Sequence, residues 1–211
     1  MLLAEDKRKL ENYVNKLIDG LKKDTVRAQS DGLTGKQLIE KVTGMTVRKL
    51  TPESKMLLSS VYNMMMEHTL SENYFSDSAN KAVFYSKDIL KDLTDKFDFK
   101  VPSEINYEKS NSEFQKMIAS GAVVVIGGSG IGYVVKITIK DIIPVVATVG
   151  IAAIIGGIMV LLLNKIWSSS SNNVNVIINE YYATVKKSIM SWINSIEAYY
   201  DKVVAEIKER G

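Results

Sequence analysis

Apolar residues are concentrated in one continuous stretch near the middle of the chain. Between Ile118 and Leu163 the only charged residues are Lys136, Lys140 and Asp141. The stretch divides into two apolar segments, residues 117–135 and 142–163, joined by a short charged link. A bilayer's hydrocarbon core is about 30 Å thick and is crossed by roughly 20 apolar helical residues. The pattern therefore predicts a membrane hairpin of two helices with the charged link at its tip.

Small residues in both segments predict close packing of the two helices. Glycine weakens a helix in water by about 1 kcal/mol, but in lipid small residues let a neighbouring helix approach closely. The predicted packing residues are Gly128, Gly132, Ala152, Ala153, Gly156 and Gly157. Phe114 and Trp167 flank the hairpin, and we expect both at the headgroup interface. The hairpin is expected to pack against itself or against other copies of the chain.

Two further interpretations of this stretch stay open. Residues 122–126 and 131–139 are rich in β-branched side chains and flank a Gly-Gly-Ser-Gly sequence, which is typical of a β-hairpin. The length of the second apolar segment favours helices, because strands are usually much shorter. The third interpretation is a very apolar helix pair buried inside a water-soluble helical bundle.

The chain before the apolar stretch has the periodicity of amphipathic helices. The predicted helices span residues 4–28, 34–44, 51–70 and 78–97. A capping box at residues 34–37 marks one helix start, and Thr51 followed by Pro52 marks another. A capping box at residues 110–113 then predicts a helix that enters the first apolar segment.

Methionines and one histidine in the third predicted helix are candidate functional residues. Met56, Met64, Met65 and Met66 fall at helical spacing, which indicates core packing more often than an adaptable contact surface. His68 is the only histidine of the chain and has no cysteine or second histidine beside it. We therefore assign it no role in metal binding.

After the apolar stretch, residues 168–173 form a polar linker to one long predicted helix, residues 174–209. Apolar side chains alternate there at spacings of four and three, which is a heptad pattern. The predicted helix-association residues are Ile178, Tyr182, Val185, Ile189, Trp192, Ile196, Tyr199 and Val203. This seam predicts packing along the N-terminal helices, with self-association as the alternative.

These patterns together predict an all-α protein. Its parts are an N-terminal amphipathic helical region (residues 1–110), the hydrophobic helical hairpin (111–167), and a linker with a long C-terminal helix (168–211). The lysines outside the hairpin favour a cytoplasmic location of both termini if the hairpin is constitutively inserted. The alternative is a chain that stays soluble until it inserts.

Composition and charge exclude several classes of function. The formal net charge is only +3 and is spread along the chain, which argues against nucleic acid as a partner. The chain has no cysteine, so disulfides, thiolate metal sites and thiol nucleophiles are excluded. It contains no zinc-protease, nucleotide-loop or nucleophile-elbow motif. We predict no enzyme, cofactor, metal site or small-molecule substrate; the expected partners are a lipid bilayer and other copies of the chain.

The arrangement of amphipathic helices around a hydrophobic hairpin resembles the channel-forming domain of pore-forming colicins. The stretch that begins Ser86-Lys-Asp-Ile-Leu-Lys91 and continues to Lys100 is loosely similar to the corresponding region of that family. The resemblance implies a water-soluble bundle with a buried hairpin that opens on a membrane and depolarises it. The expected function is a membrane-inserting protein that contributes to an oligomeric pore. A constitutive two-span scaffold and a soluble bundle with a very apolar core are the alternatives.

Overall fold

The computed structural model describes residues 1–33, 35–97, 122–126, 132–136 and 174–210. Its helices are α1 (Ala4–Ser30), α2 (Gly35–Leu70), α3 (Ser78–Ser86), α4 (Ile89–Phe97) and α5 (Val174–Arg210), with a short 3-10 helix at Asn73–Ser76. Two strands, β1 (Ala122–Ile126) and β2 (Gly132–Lys136), form a separate antiparallel pair. The packed body of the described chain is therefore all-α.

Helix α1 begins and ends through local contacts that its sequence provides. The Asp6 carboxylate accepts a hydrogen bond from the Leu3 backbone N–H at 3.1 Å, which satisfies one of the free donors at the helix start. At the other end, the N–H of Leu33 donates to the Ala28 carbonyl across a tight turn. Gly32 adopts φ +85° in that turn, a conformation that favours glycine. The turn directs α2 back along α1.

Helix α2 continues through the predicted break at Thr51 and Pro52, so the prediction of two separate helices is wrong. Pro52 lies inside the helix, where it cannot donate a hydrogen bond to the carbonyl four residues earlier. Buried residues on both sides of it form one stripe, namely Leu38, Val42, Thr46, Leu50, Ser54, Leu57, Val61 and Met65. Because this continuous stripe packs against the other long helices, tertiary packing outweighs the local break.

The predicted helix over residues 78–97 is divided into α3 and α4 at Lys87 and Asp88. The Asp88 carboxylate accepts a hydrogen bond from the Lys91 backbone N–H at 3.2 Å, which starts a new helix at that point. The division lets Phe84 of α3 and Leu93 of α4 both reach the core.

The three long helices pack side by side, and α4 covers part of α5. Contacts of α1 with α5 run antiparallel, from Gln29 with Asn175 at one end to Leu2 with Glu197 at the other. Helices α2 and α5 run parallel, because Thr69 near the end of α2 contacts Tyr200, and Glu72, just after that end, contacts Lys208 further along α5. The core lies where these helices meet.

Three buried polar contacts fix α5 in this arrangement. The Tyr182 and Thr25 hydroxyl groups are hydrogen-bonded at 2.6 Å, and the Tyr200 hydroxyl donates to Thr69 at 3.0 Å. The indole N–H of Trp192 donates to the Phe97 carbonyl at 3.2 Å. Since buried polar groups are costly when unpaired, these bonds specify one register of α5 against α1, α2 and α4.

The antiparallel strands occupy part of the first apolar segment. In their register, Val124 pairs with Val134, and Lys136 pairs with Ala122. The prediction of a continuous helix over residues 117–135 is therefore wrong at β1 and β2, where the β-hairpin alternative applies. The physical reason is the run of β-branched valines on either side of a glycine-rich connection.

Candidate membrane-interacting region

The insert, defined as residues 98–173, leaves the bundle after α4 and rejoins it at α5. Phe97 at the end of α4 is buried, and its ring meets the Tyr199 ring edge-on with 5.8 Å between the centroids. Its carbonyl accepts the hydrogen bond from Trp192, so the chain leaves the bundle level with that residue. The insert therefore departs from a fixed point of the core.

The return point is fixed as well. Helix α5 begins at Val174, and the next residue, Asn175, accepts a hydrogen bond from the Gln29 side chain at 2.6 Å. Val174 precedes Trp192 by 18 residues, which corresponds to about 27 Å along the helix axis at 1.5 Å per residue. The two points at which the insert joins the bundle are thus well separated along α5.

Most residues that the sequence assigns to the membrane hairpin lie outside the described residues. These are Phe114, Gly128, Lys140, Asp141, Ala152, Ala153, Gly156, Gly157 and Trp167. Two others lie in β2, where Gly132 pairs with Ile126 and Lys136 pairs with Ala122. The helix-packing role of Gly132 assumed a helix that the structure does not have at this position. The second apolar segment, residues 142–163, stays a prediction.

No helix within residues 1–33, 35–97 and 174–210 combines the length and the hydropathy that crossing a bilayer requires.

The heptad residues of α5 lie at the bundle core. Six of them are buried, namely Ile178, Tyr182, Val185, Ile189, Trp192 and Ile196. Tyr199 and Val203 are partly buried against the same core. The seam therefore makes its contacts with other helices of the same chain. Of the methionines in α2, Met65 is fully buried and Met56 is exposed.

His68 has a partner that sequence reasoning missed. Its Nε2 atom lies 2.7 Å from the Asp6 carboxylate, which also receives the Leu3 N–H. Burial tends to raise the pKa of Asp6, but the hydrogen bonds from His68 and Leu3 and the nearby positive charges outweigh it, and the net pKa is lowered. The two residues are 62 positions apart in the sequence, so no local pattern could have indicated the contact.

A second polar cluster joins the start of the chain to α5. Glu197 accepts the Leu2 backbone N–H at 2.9 Å and forms an ion pair with Lys7 at 2.9 Å. Asp6 and Glu197 are therefore both engaged in contacts between helices. Among the described residues, no three His, Cys, Asp or Glu side chains are grouped so that they could hold a metal ion. These clusters are best explained as contacts that close the bundle.

The chain matches no protein-family model, no curated protein and no solved structure.

Proposed function

We propose that this chain is a membrane-inserting protein whose insert enters the bilayer and contributes to an oligomeric pore. The observation that supports this most is the contrast between the insert and its attachment points. Residues 142–163 contain no charged side chain, whereas Phe97 and Asn175 on either side of the insert are held by defined contacts to the bundle. A stretch this long and apolar suits a bilayer core.

The proposed pore contains several copies of the chain, and the proposed contact between copies is in the insert. The heptad seam of α5 makes contacts inside the bundle, so it is not the surface that we assign to assembly. The small residues Ala152, Gly156, Ala153 and Gly157 recur at four-residue spacing in the second apolar segment. Such spacing permits close approach of helices in lipid, and we assign the contact between copies to these residues.

Release of an entrapped dye from liposomes tests this function. Purified protein is added to dye-loaded vesicles, and we expect release that grows with protein concentration more steeply than linearly. The matched variants are Ile154→Lys with Ile155→Lys, in the middle of the second apolar segment, and Val83→Lys, at an exposed position of α3. Lysine at the bilayer centre costs about 2.5 to 3.5 kcal/mol, so the double variant should lose dye release and Val83→Lys should keep it. Wild-type protein that releases no dye at any pH or lipid charge would contradict the proposal.

A constitutive membrane scaffold that is anchored by the insert is the second candidate. It is favoured by the core of the described bundle, which α1, α2, α4 and α5 build from their own apolar faces. In a scaffold the bundle would remain folded outside the bilayer and the insert would serve as its anchor. This candidate predicts protein that is always extracted with the membrane fraction but releases no dye.

A further inference from the structure

The charges of the bundle are separated along its length. We define the proximal half as residues 16–51 and 174–187, and the distal half as residues 1–15, 52–97 and 188–210. The proximal half has ten Lys and Arg against five Asp and Glu, a net charge of +5. The distal half has eleven against fourteen, a net charge of −3. The modest charge of the whole chain therefore conceals two oppositely charged halves.

Contacts between helices place the residues of each half at the same level. In the proximal half, Thr25 meets Tyr182 and Gln29 meets Asn175. In the distal half, Thr69 meets Tyr200 and Leu2 meets Glu197. The charge separation is thus a property of the folded bundle, with one positive and one negative end.

The proximal half is also the end of the bundle that is nearest in sequence to the predicted interface residue Trp167. Trp167 precedes Val174 by seven residues, a stretch that reaches at most about 25 Å even when fully extended. Helix α5 has 37 residues, which corresponds to about 55 Å. If Trp167 lies at the membrane interface as predicted, the start of α5 stays near the interface, whereas the distal end can be well beyond it.

The proximal surface presents groups that suit anionic lipid headgroups. Lys22, Lys23 and Lys41 are exposed, and none of them forms an ion pair with another described residue. Two apolar side chains are also exposed there, Val26 with 60% and Val176 with 46% of their surface accessible. Lysines near a negatively charged leaflet attract it, and exposed apolar side chains contact the headgroup layer.

We propose that the bundle stands end-on to the membrane, with the proximal half against anionic phospholipid headgroups and the distal half directed away. This inference rests on the proposed membrane insertion and adds an orientation and a class of lipid to it. The link from Phe97 to the hairpin fits this orientation. Residues 98–113 can extend to roughly 50 Å, which exceeds the distance of about 27 Å from the level of Trp192 to the start of α5.

Single cysteine labels test the orientation, because the chain has no native cysteine. Full-length Val176→Cys and Val83→Cys each carry one fluorophore, on exposed residues of the proximal and distal halves. Both proteins are mixed with vesicles of phosphatidylcholine and phosphatidylglycerol that contain a lipid with a spin-labelled headgroup. We expect strong quenching at position 176 and little at position 83.

A charge-reversal pair tests the assignment to anionic lipid. Lys22→Glu, Lys23→Glu and Lys41→Glu together change the proximal surface, and Arg8→Glu, Lys55→Glu and Lys87→Glu make the same change on the distal half. Removal of each surface cation should weaken association with the mixed vesicles roughly fivefold. The proximal variant should therefore bind mixed vesicles far more weakly and pure phosphatidylcholine vesicles as before, and the distal variant should bind both like the wild type.

Three outcomes would overturn the orientation. Equal quenching at both positions, with the protein bound, contradicts the end-on arrangement and leaves membrane insertion intact. Equal loss of binding in both triple variants shows that only net charge matters. Absence of any vesicle association in the wild type contradicts the orientation and the proposed function together.

Discussion

In the bundle each long helix has one apolar face and one charged face, whereas the sequence of residues 142–163 contains no charged residue at all. The apolar face of α5 contacts α1, α2 and α4, so residues such as Tyr182 and Ile196 are fully buried within one chain. If the second apolar segment is a helix, as its sequence predicts, it has no charged face to turn toward water. Helices with a polar face can complete a water-soluble core, and a helix that is apolar all round needs lipid or protein on all sides. The bundle should therefore be stabilised by its own core contacts, and substitutions in that core should destabilise it.

The largest expected effect on the bundle is that of Trp192→Ala. Trp192 is 1% exposed, and its indole N–H bonds to the carbonyl at the end of α4. Truncation leaves a large cavity and an unpaired carbonyl, so the free energy of unfolding should fall by about 3 to 5 kcal/mol. Thermal unfolding followed by circular dichroism in mild detergent measures this, with exposed Val176→Ala as the control. A small loss for Trp192→Ala would show that the bundle is not held by this core.

Pro52→Ala distinguishes the continuous helix α2 from the two helices that the sequence predicts. A proline in a helix interior costs about 3 kcal/mol, whereas at a first helical position its missing N–H costs nothing. Since Pro52 lies inside α2, the alanine variant should raise the free energy of unfolding by about 2 to 3 kcal/mol. Urea unfolding measures the change. A variant no more stable than the wild type would support the two-helix interpretation.

The helix boundaries show which parts of this fold the sequence could predict and why it could not predict the others. The apolar spacing predicted α1 and α5 nearly to their ends, and the heptad residues of α5 lie at the core. The Thr51-Pro52 signal failed because it is local, whereas the stripe from Leu38 to Met65 is stabilised by helices distant in sequence. The contact of His68 with Asp6 has the same origin, because the fold brings together residues without any shared local pattern.

For the candidate site, the sequence could predict the apolar composition of the insert but not its secondary structure. The two apolar segments stand out in the sequence, but their secondary structure was ambiguous, because residues 122–126 and 132–136 suit both a membrane helix and a strand. The structure has strands there. The charge separation of the bundle was hidden for another reason, since the proximal half combines two separate parts of the chain and the distal half combines three.

Tyr200→Phe should have a moderate effect that depends on pH. The hydroxyl bonds to buried Thr69, so its loss should cost about 1 kcal/mol at neutral pH. Burial raises the pKa of Tyr200 to about 12 from its ordinary value of 10.0, although the bond to Thr69 opposes the shift. Because the folded state holds the proton more tightly, wild-type stability should decline as the pH rises from 10 to about 12.

The phenylalanine variant lacks this group, so its stability should decline less over the same alkaline interval. Unfolding midpoints measured in urea across that interval test the difference. Tyr85→Phe, at an exposed position of α3, is the matched control and should behave like the wild type. If the stability of the wild type and of Tyr200→Phe falls equally as the pH rises, the raised pKa of Tyr200 is not the cause of the alkaline loss of stability.

Asp6→Asn should have an effect on the bundle no larger than that of Tyr200→Phe. The pKa of Asp6 is lowered by its contacts, so its stabilising contribution is complete above 3.8 and is lost as the pH falls through the folded-state value. The asparagine variant should lose about 1 kcal/mol at neutral pH, and the difference from the wild type should shrink at acid pH. Glu5→Gln, on the exposed side of the same helix turn, is the control. If the difference in the free energy of unfolding between wild type and variant stays constant as the pH falls, the contact between Asp6 and His68 does not stabilise the bundle.

Fractionation of the expressed protein tests the central claim most directly. Cells are broken, membranes are washed with alkaline carbonate, and the protein is measured in the soluble, carbonate-released and carbonate-resistant pools. The matched comparison is Ile154→Lys with Ile155→Lys in the insert against Val83→Lys at an exposed position of the bundle. If the insert enters the bilayer, the wild type and Val83→Lys should be found in the carbonate-resistant pool, and the double variant should be released. Wild-type protein that is entirely soluble and stays soluble when mixed with liposomes would contradict it.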